Sequence, residues 1–377
     1  MQVMCGMRVL VIGREPSLFD ENSEAFKRIR EYAGLFDELH IVSGEEKKQE
    51  PKRYGNLYIW PAYSSFAVVR MFSVLRLGIA KARKHHIRII DAQDVGEWGL
   101  LAWLVSVRTG IPFRAQIHTD IFSPRYRKAS WKERFRYGIA EFLIPRADCI
   151  RVVSERIKKS IETRNKKPEA RITVLPIFTD VSEFLRVSPN QNAQRFNMVA
   201  AGRFIDREKN FSMLIRMMAD LVKACPNVHL TIFGDGPDRN YYHKIISSND
   251  LGKYVKIKPW TDRAGIINFF SSCDAYLLSS NYEGWGRVVI EAMASGLPVI
   301  MTDVGLAGEV VKNGVNGIVV PVDDLNAMSD AVQDIYNNKE KLVRMAKAGR
   351  ETARITALMS KENYLSLYKQ SLENCLH

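Results

Sequence analysis

The sequence predicts an α/β protein made of two similar halves, each a parallel sheet covered by helices, with the halves facing a cleft. Three observations carry this expectation. A chain of 377 residues is longer than one hydrophobic core usually organises. Short β-rich runs alternate with helix-compatible stretches, the pattern of parallel strands joined by crossover helices. The alternation then restarts after a polar, proline-containing stretch at 186–196, which reads as a linker.

In the first half, strands are expected at 7–13, 38–43, 56–61, 87–92, 113–118, 148–154 and 171–177, because each is rich in Val, Ile and aromatic residues over a strand-like length. Helices fit between them, as at 67–84 and 97–109. In the second half, strands are expected at 196–204, 228–234, 254–260, 274–280, 297–303 and 317–322. Helices fit at 210–224, 238–249, 262–272, 286–295 and 323–337, and 339–375 reads as helical throughout. The resulting division is 1–190, 191–358 and a final helix, 359–377. Ligands of such sheets bind beyond the carboxyl ends of the strands.

Composition narrows the class. Apolar residues make up 46% and charged residues 26%, ordinary for a globular protein. No run approaches the roughly 18 apolar residues of a membrane-spanning helix. The start, MQVMCGMRVLVIG, lacks the basic, apolar and small-residue parts of a signal peptide. The five cysteines are scattered and form no CxxC pair, so neither a disulfide framework nor a zinc site is expected and a cytoplasmic location is. Net charge is +13, with +11 in residues 1–190 (33 Lys and Arg against 22 Asp and Glu). That bias is either general solubility or a surface that meets something anionic.

The stretch NYEGWGRVVIEAMASGLPVI, 281–300, reads as loop, helix and strand. Its helix should start near Gly286 and end at Ser295–Gly296, where glycine suits the C-cap. Free N–H groups and the positive dipole end at a glycine-rich start favour an anion such as phosphate. Glu291, more than one turn into the helix, could accept hydrogen bonds from a diol, and Glu283 stands before the first turn. Alone, this is also an ordinary glycine-flanked helix with two solvated acids. AAGRFIDREKN, 200–210, places Arg203 and Lys209 after the first strand of this half, where a guanidinium and an ammonium could neutralise a diphosphate. By itself it is equally a solvated loop. FGDGP, 233–237, is a tight βα turn that lets backbone approach a ligand.

Taken together these residues resemble family 4 of the retaining, nucleotide-sugar-dependent glycosyltransferases of GT-B architecture. The match rests on E-G-W-G-R-V-V-I-E-A-M-A-S-G-L-P-V-I, the family's E-x7-E signature, on G-R-F-x4-K-N, on F-G-D-G-P, and on V-G-L-A-G-E-V with N-G-x-N-G-I-V-V-P. It runs through most of 196–337 and is thinner before that. The resemblance implies that each half is Rossmann-like and that the final helix crosses back to the first. It implies that Arg203, Lys209 and the backbone N–H groups near Gly286, Arg287 and Val288 bind the donor diphosphate. Glu291 would hold the ribose, Glu283 would sit against the transferred sugar, and Phe233, Gly234 and 257–260 would flank the base, uracil or guanine. The donor, UDP- or GDP-linked, is a substrate. No other cofactor is expected, nor a metal, since the chain has no Asp-x-Asp motif.

The first half is read as the acceptor side. His118 ends a strand there; a lone histidine is more often structural, but in the resembled family this one contacts the donor sugar. The family's Gly-Gly pair after the first strand is here Gly13, Arg14, Glu15, Pro16. That leaves the acceptor geometry open and makes Arg14 a candidate phosphate contact. Trp131, Phe135, Ile139 and Phe142 share one helical face. Arg125, Arg127, Lys128, Lys132, Arg134 and Arg136 surround its start. This is either a packed helix with a basic outer face or a segment, 123–137, that meets anionic lipid at the inner face of a membrane. The expected acceptor is a glycan or a lipid-linked hydroxyl. A sugar-nucleotide epimerase of the same architecture and a basic nucleic-acid binder are the alternatives. A nicotinamide dehydrogenase would need G-x-G-x-x-G after a first strand, which neither half has, and no nucleic acid is expected.

Overall fold

The computed structural model describes residues 6–165, 171–187 and 195–376. Its contacts divide the chain into two units. The first comprises 1–122, 130–176 and 361–377; the second comprises 123–129 and 177–360. The expected linker at 186–196 lies largely outside the described residues.

The first unit holds β1 (Arg8–Gly13), α1 (Glu24–Ala33), β2 (Glu38–Glu45), β3 (Lys52–Tyr54), β4 (Leu57–Tyr63), α2 (Ala67–Lys84), β5 (Ile89–Ala92), α3 (Glu97–Thr109) and β6 (Phe113–Ile117). After β6 the chain contributes the short helix α4 (Pro124–Ala129) to the second unit. It returns as α5 (Trp131–Leu143), β7 (Cys149–Val152), α6 (Glu155–Asn165) and β8 (Ile172–Val174). The sheet order is β3-β4-β2-β1-β5-β6-β7-β8, parallel except for β3, which is antiparallel to β4. Strands such as β1 are buried along nearly their whole length, as sheets covered on both faces require.

The second unit holds β9 (Phe196–Ala201), α7 (Asp206–Lys209), α8 (Phe211–Ala224), β10 (Val228–Phe233), α9 (Arg239–Ser248), β11 (Val255–Lys258), α10 (Arg263–Phe270), β12 (Ala275–Leu278), α11 (Arg287–Ala294), β13 (Val299–Thr302), β14 (Ile318–Val320), α12 (Leu325–Asn337) and α13 (Lys339–Thr356). Its six parallel strands run β11-β10-β9-β12-β13-β14. The order reverses at β9, so the loops after β9 and β12 open a crevice at the carboxyl edge of the sheet. Phe211, Leu214, Ile215, Met218 and Leu221 pack the apolar stripe of α8 onto the core of this unit.

The expectation that 339–375 is one helix is corrected. It breaks at Ala357–Ser360, and α14 (Lys361–Glu373) belongs to the first unit. No proline or glycine marks that break, which is why periodicity missed it. A buried polar network holds α14. Arg114 makes paired 2.8 Å bonds to Asp91 and donates to Ser371 Oγ at 2.6 Å. Arg151 donates to Gln116 Oε1 and to the Tyr364 hydroxyl, and Gln116 donates to Asp91. Tyr32 stacks on Tyr368 at 4.4 Å. Cys149 and Cys375 come side by side where α14 packs on β7, their Cα atoms 5.1 Å apart. They are 226 residues apart in the chain and meet through the docking of α14. Among the described residues no helix is long and apolar enough to cross a membrane.

Candidate functional site

The crevice of the second unit is assembled from three loops. The paired strands β9 and β10 end in register, Ala201 opposite Phe233, so the glycines that follow them meet. A Cβ on Gly234, whose φ is +155°, would lie 1.9 Å from the Gly202 carbonyl oxygen, and one on Gly236 would strike the Phe204 backbone. Phe204 N–H donates to the Asp235 carbonyl and Asp238 N–H to the Phe204 carbonyl. The GRF and FGDGP turns therefore interlock, and only glycine permits the approach. The Asp238 carboxylate accepts the Asp206 N–H at 2.7 Å, which starts α7 and fixes the position of Lys209.

Lys209 donates to Glu283 Oε1 and lies 3.0 Å from Glu208 Oε1. Burial alone would lower its pKa; the carboxylates of Glu283 and Glu208 outweigh that and hold it above the ordinary lysine value. Ser280 Oγ also donates to Glu283 Oε1, at 3.2 Å. The Lys209 carbonyl accepts from Ser279 Oγ, tying the loop after β9 to the loop after β12. Arg203 is exposed and forms no ion pair among the described residues.

Gly286 (φ +96°) caps α11 without any side-chain hydrogen bond to the helix start, so the first N–H groups, at Arg287 and Val288, are left for a ligand. Glu291 lies one turn on. Among the described residues nothing donates to its carboxylate, and burial pushes its pKa up against the opposing pull of Arg287 and Arg263. Glu283 and Glu291 both act on the Tyr276 hydroxyl, which donates to the Ala201 carbonyl at the end of β9. Gly305, at φ +52°, lets a further loop press on Trp285 and Glu283, where a Cβ would sit 2.7 Å from the Trp285 carbonyl.

Phe233 ends β10. It is buried edge-on to Phe269, centroids 4.6 Å apart, with Lys258 beside both. Of the 257–260 loop, Trp260 is the exposed aromatic. His118, in the first unit, follows β6. Burial, then Arg151, Arg114 and Arg28, lower its pKa to about 3, so the ring is neutral at ordinary pH. Arg14 pairs with Glu46 at 2.7 Å.

Segment 123–137 splits in two. Arg125 and Tyr126 are docked on the second unit, with Arg125 bound to Asp323 at 3.0 Å and Tyr126 buried edge-on to Tyr282. Beyond Ser130 the helix α5 leaves Trp131 76% and Phe135 58% exposed, while Ile139 is buried. Sequence reasoning read the charge of 123–129 but missed this docking, because neither Asp323 nor Tyr282 is near it in the chain.

Among the described residues one group brings three metal-type ligands together: Glu38, His40 and His85. The Trp60 indole donates to His40 Nδ1 at 3.2 Å, so a neutral ring carries its proton on Nε2, which donates to Glu38 at 2.9 Å. The nitrogen a metal would need is already a proton donor.

The chain matches the profile of "Glycosyl transferases group 1" over residues 181–352 and that of "Glycosyltransferase Family 4" over 29–183. It is 25% identical over 325 residues to an uncharacterised glycosyltransferase of Bacillus subtilis, covering 85% of this chain and 88% of that one. Among solved structures it resembles sucrose-phosphate synthase from Thermosynechococcus elongatus, with TM-score 0.77, 19% identity and 97% and 98% of the two chains covered. It also resembles HepE of Anabaena in complex with UDP and glucose, with TM-score 0.75, 17% identity and 97% and 99% covered.

Proposed function

The chain belongs to the family 4 glycosyltransferases of GT-B fold, and we propose that it moves a sugar from a nucleotide-diphosphate donor to a hydroxyl acceptor with retention at the anomeric carbon. The observation that carries the donor assignment is the juxtaposition at the carboxyl edge of the second sheet. Lys209, an uncapped helix start and an acid with no donor of its own stand around one crevice. Diphosphate oxygens replace the carboxylates on Lys209 and take up the N–H groups of Arg287 and Val288. Arg203 adds a second cation. Glu291 accepts from the ribose hydroxyls, and Glu283, released from Lys209, faces the sugar.

As the anomeric carbon–oxygen bond breaks, negative charge grows on the leaving diphosphate. Lys209, Arg203 and the helix start stabilise it there, which is where electrostatic catalysis acts. The acceptor oxygen attacks from the same face, and its proton passes to a phosphate oxygen. Those cations supply the charge that a metal would otherwise bring, so the reaction runs without one. The likeness to HepE, solved with UDP and glucose, supports a uridine donor over a guanosine one.

The acceptor is a glycan or a lipid-linked hydroxyl. The exposed Trp131 and Phe135, beside Lys132 and Arg134, support docking on an anionic lipid surface through α5.

The test is binding and slow hydrolysis of UDP- and GDP-sugars by the full chain, with and without EDTA, beside Glu291→Ala. We expect one donor to bind saturably, indifferent to EDTA, with affinity reduced roughly 100-fold in the variant, the scale of losing charged hydrogen bonds. Equal binding by Glu291→Ala would remove the ribose assignment.

A further inference from the structure

We propose that residues 123–129 are a positioning strap for the Lys209–Glu283 pair, and that Tyr126 and Arg125 set the geometry with which that pair meets the donor. The inference rests on the donor reading above and adds residues that no donor motif contains.

Two separate contacts run from the strap and converge on one ion pair. In the first, Arg125 Nη1 binds Asp323 Oδ2 at 3.0 Å, and Asp323 Oδ1 accepts from Asn210 Nδ2 at 3.0 Å. Asn210 follows Lys209 directly and ends α7. Asn210 and Asp323 both hold left-handed backbone, φ +50° and +65°, two of four such non-glycine residues among those described. Such conformations persist where surrounding contacts over-determine them. Here the two strained residues are bonded to each other and clamped from outside by Arg125. Asn281 extends the clamp: it accepts from Asn210 Nδ2, and its own N–H and Nδ2 donate to the Glu208 and Arg207 carbonyls.

In the second contact, the Tyr126 ring sits edge-on to Tyr282, centroids 5.1 Å apart at 77°, and both rings are more than nine-tenths buried. Tyr282 directly precedes Glu283. The strap thus reaches the chain neighbour of each partner in the ion pair, Tyr282 directly and Asn210 through Asp323. A helix whose task was only to present cations outward would leave Tyr126 exposed and Arg125 without a carboxylate. Both act on residues next to that pair in the chain or bonded to those residues, so both are positioning residues.

The test uses the full chain and, as probes, UDP, GDP, UDP-glucose, UDP-N-acetylglucosamine and GDP-mannose. Calorimetry gives affinity and donor hydrolysis gives kcat and KM. Tyr126→Ala should weaken the bound donor roughly ten-fold, the scale of one buried aromatic pair. Arg125→Ala and Asp323→Ala should each raise KM, and together no more than either alone, since they break one link. Hydrogen exchange should speed up in 206–210 and 281–284 of the Tyr126→Ala protein and stay unchanged elsewhere. If Tyr126→Ala does not fold, the half-exposed Arg125 carries the test. A wild-type chain that binds donor, with Tyr126→Ala or Arg125→Ala matching it in affinity, KM and exchange, overturns the strap and leaves the donor reading standing. A wild-type chain that binds none of the probes overturns both.

Discussion

His118 shows how burial decides what a side chain can do. A histidine whose pKa is held near 3 by desolvation, with Arg151, Arg114 and Arg28 adding to it, cannot serve as a cation at neutral pH. It can only offer a neutral ring, as donor or acceptor. The same shift has a stability consequence. The folded pKa lies below the unfolded value of about 6.5, so the unfolded chain binds the extra proton as pH falls. The stabilisation is full above that value and declines toward the folded pKa. The urea midpoint of the wild type should therefore fall more steeply than that of His118→Asn between about pH 6.5 and 4.5. Parallel curves would show that His118 titrates like an exposed ring. Lys209 is the opposite case, an ammonium kept charged against burial by two carboxylates.

The helix α14 shows what strand and helix patterns leave unread. Most strands were legible because parallel strands are continuous apolar runs of β-branched residues, and so were the interlocking turns after β9 and β10, because their glycines mark where backbone approaches backbone. The three-residue β3 was not, since Lys52–Tyr54 carries no apolar run and exists only by pairing with β4. The docking of α14 was legible only through family resemblance. Its anchors, Arg114, Asp91, Gln116 and Arg151, sit inside strands and look in sequence like interruptions of an apolar pattern. Fully buried, Arg114 is matched by the paired bonds to Asp91 and by Ser371. Replacing one member of such a pair strands the other charge, so Arg114→Leu should cost about 3–5 kcal/mol in urea unfolding. A loss below about 1 kcal/mol would mean that water reaches Asp91.

At the scale of the whole molecule, charge and exchanged segments matter more than any single bond. The +13 net charge is concentrated in the first 190 residues, and α5 sets exposed aromatics among its cations. Full-length protein should bind vesicles containing phosphatidylglycerol more tightly than phosphatidylcholine vesicles. Salt should weaken that binding, and Trp131→Ser with Phe135→Ser should reduce it several-fold. Binding that ignored both lipid charge and these substitutions would return the helix to ordinary surface. The exchanged segments constrain how such a chain can diversify. Each unit lacks a piece that the sequence places in the other half: the second needs 123–129, and the first needs 361–377. A chimera joined to a relative at the mid-chain boundary would inherit a second unit packed against a foreign 123–129 segment and a first sheet closed by a foreign helix. Recombination within this family should succeed only where 123–129 travels with the C-terminal partner and 361–377 with the N-terminal one. Acceptor and donor preferences would then be inherited as three-part sets rather than as halves.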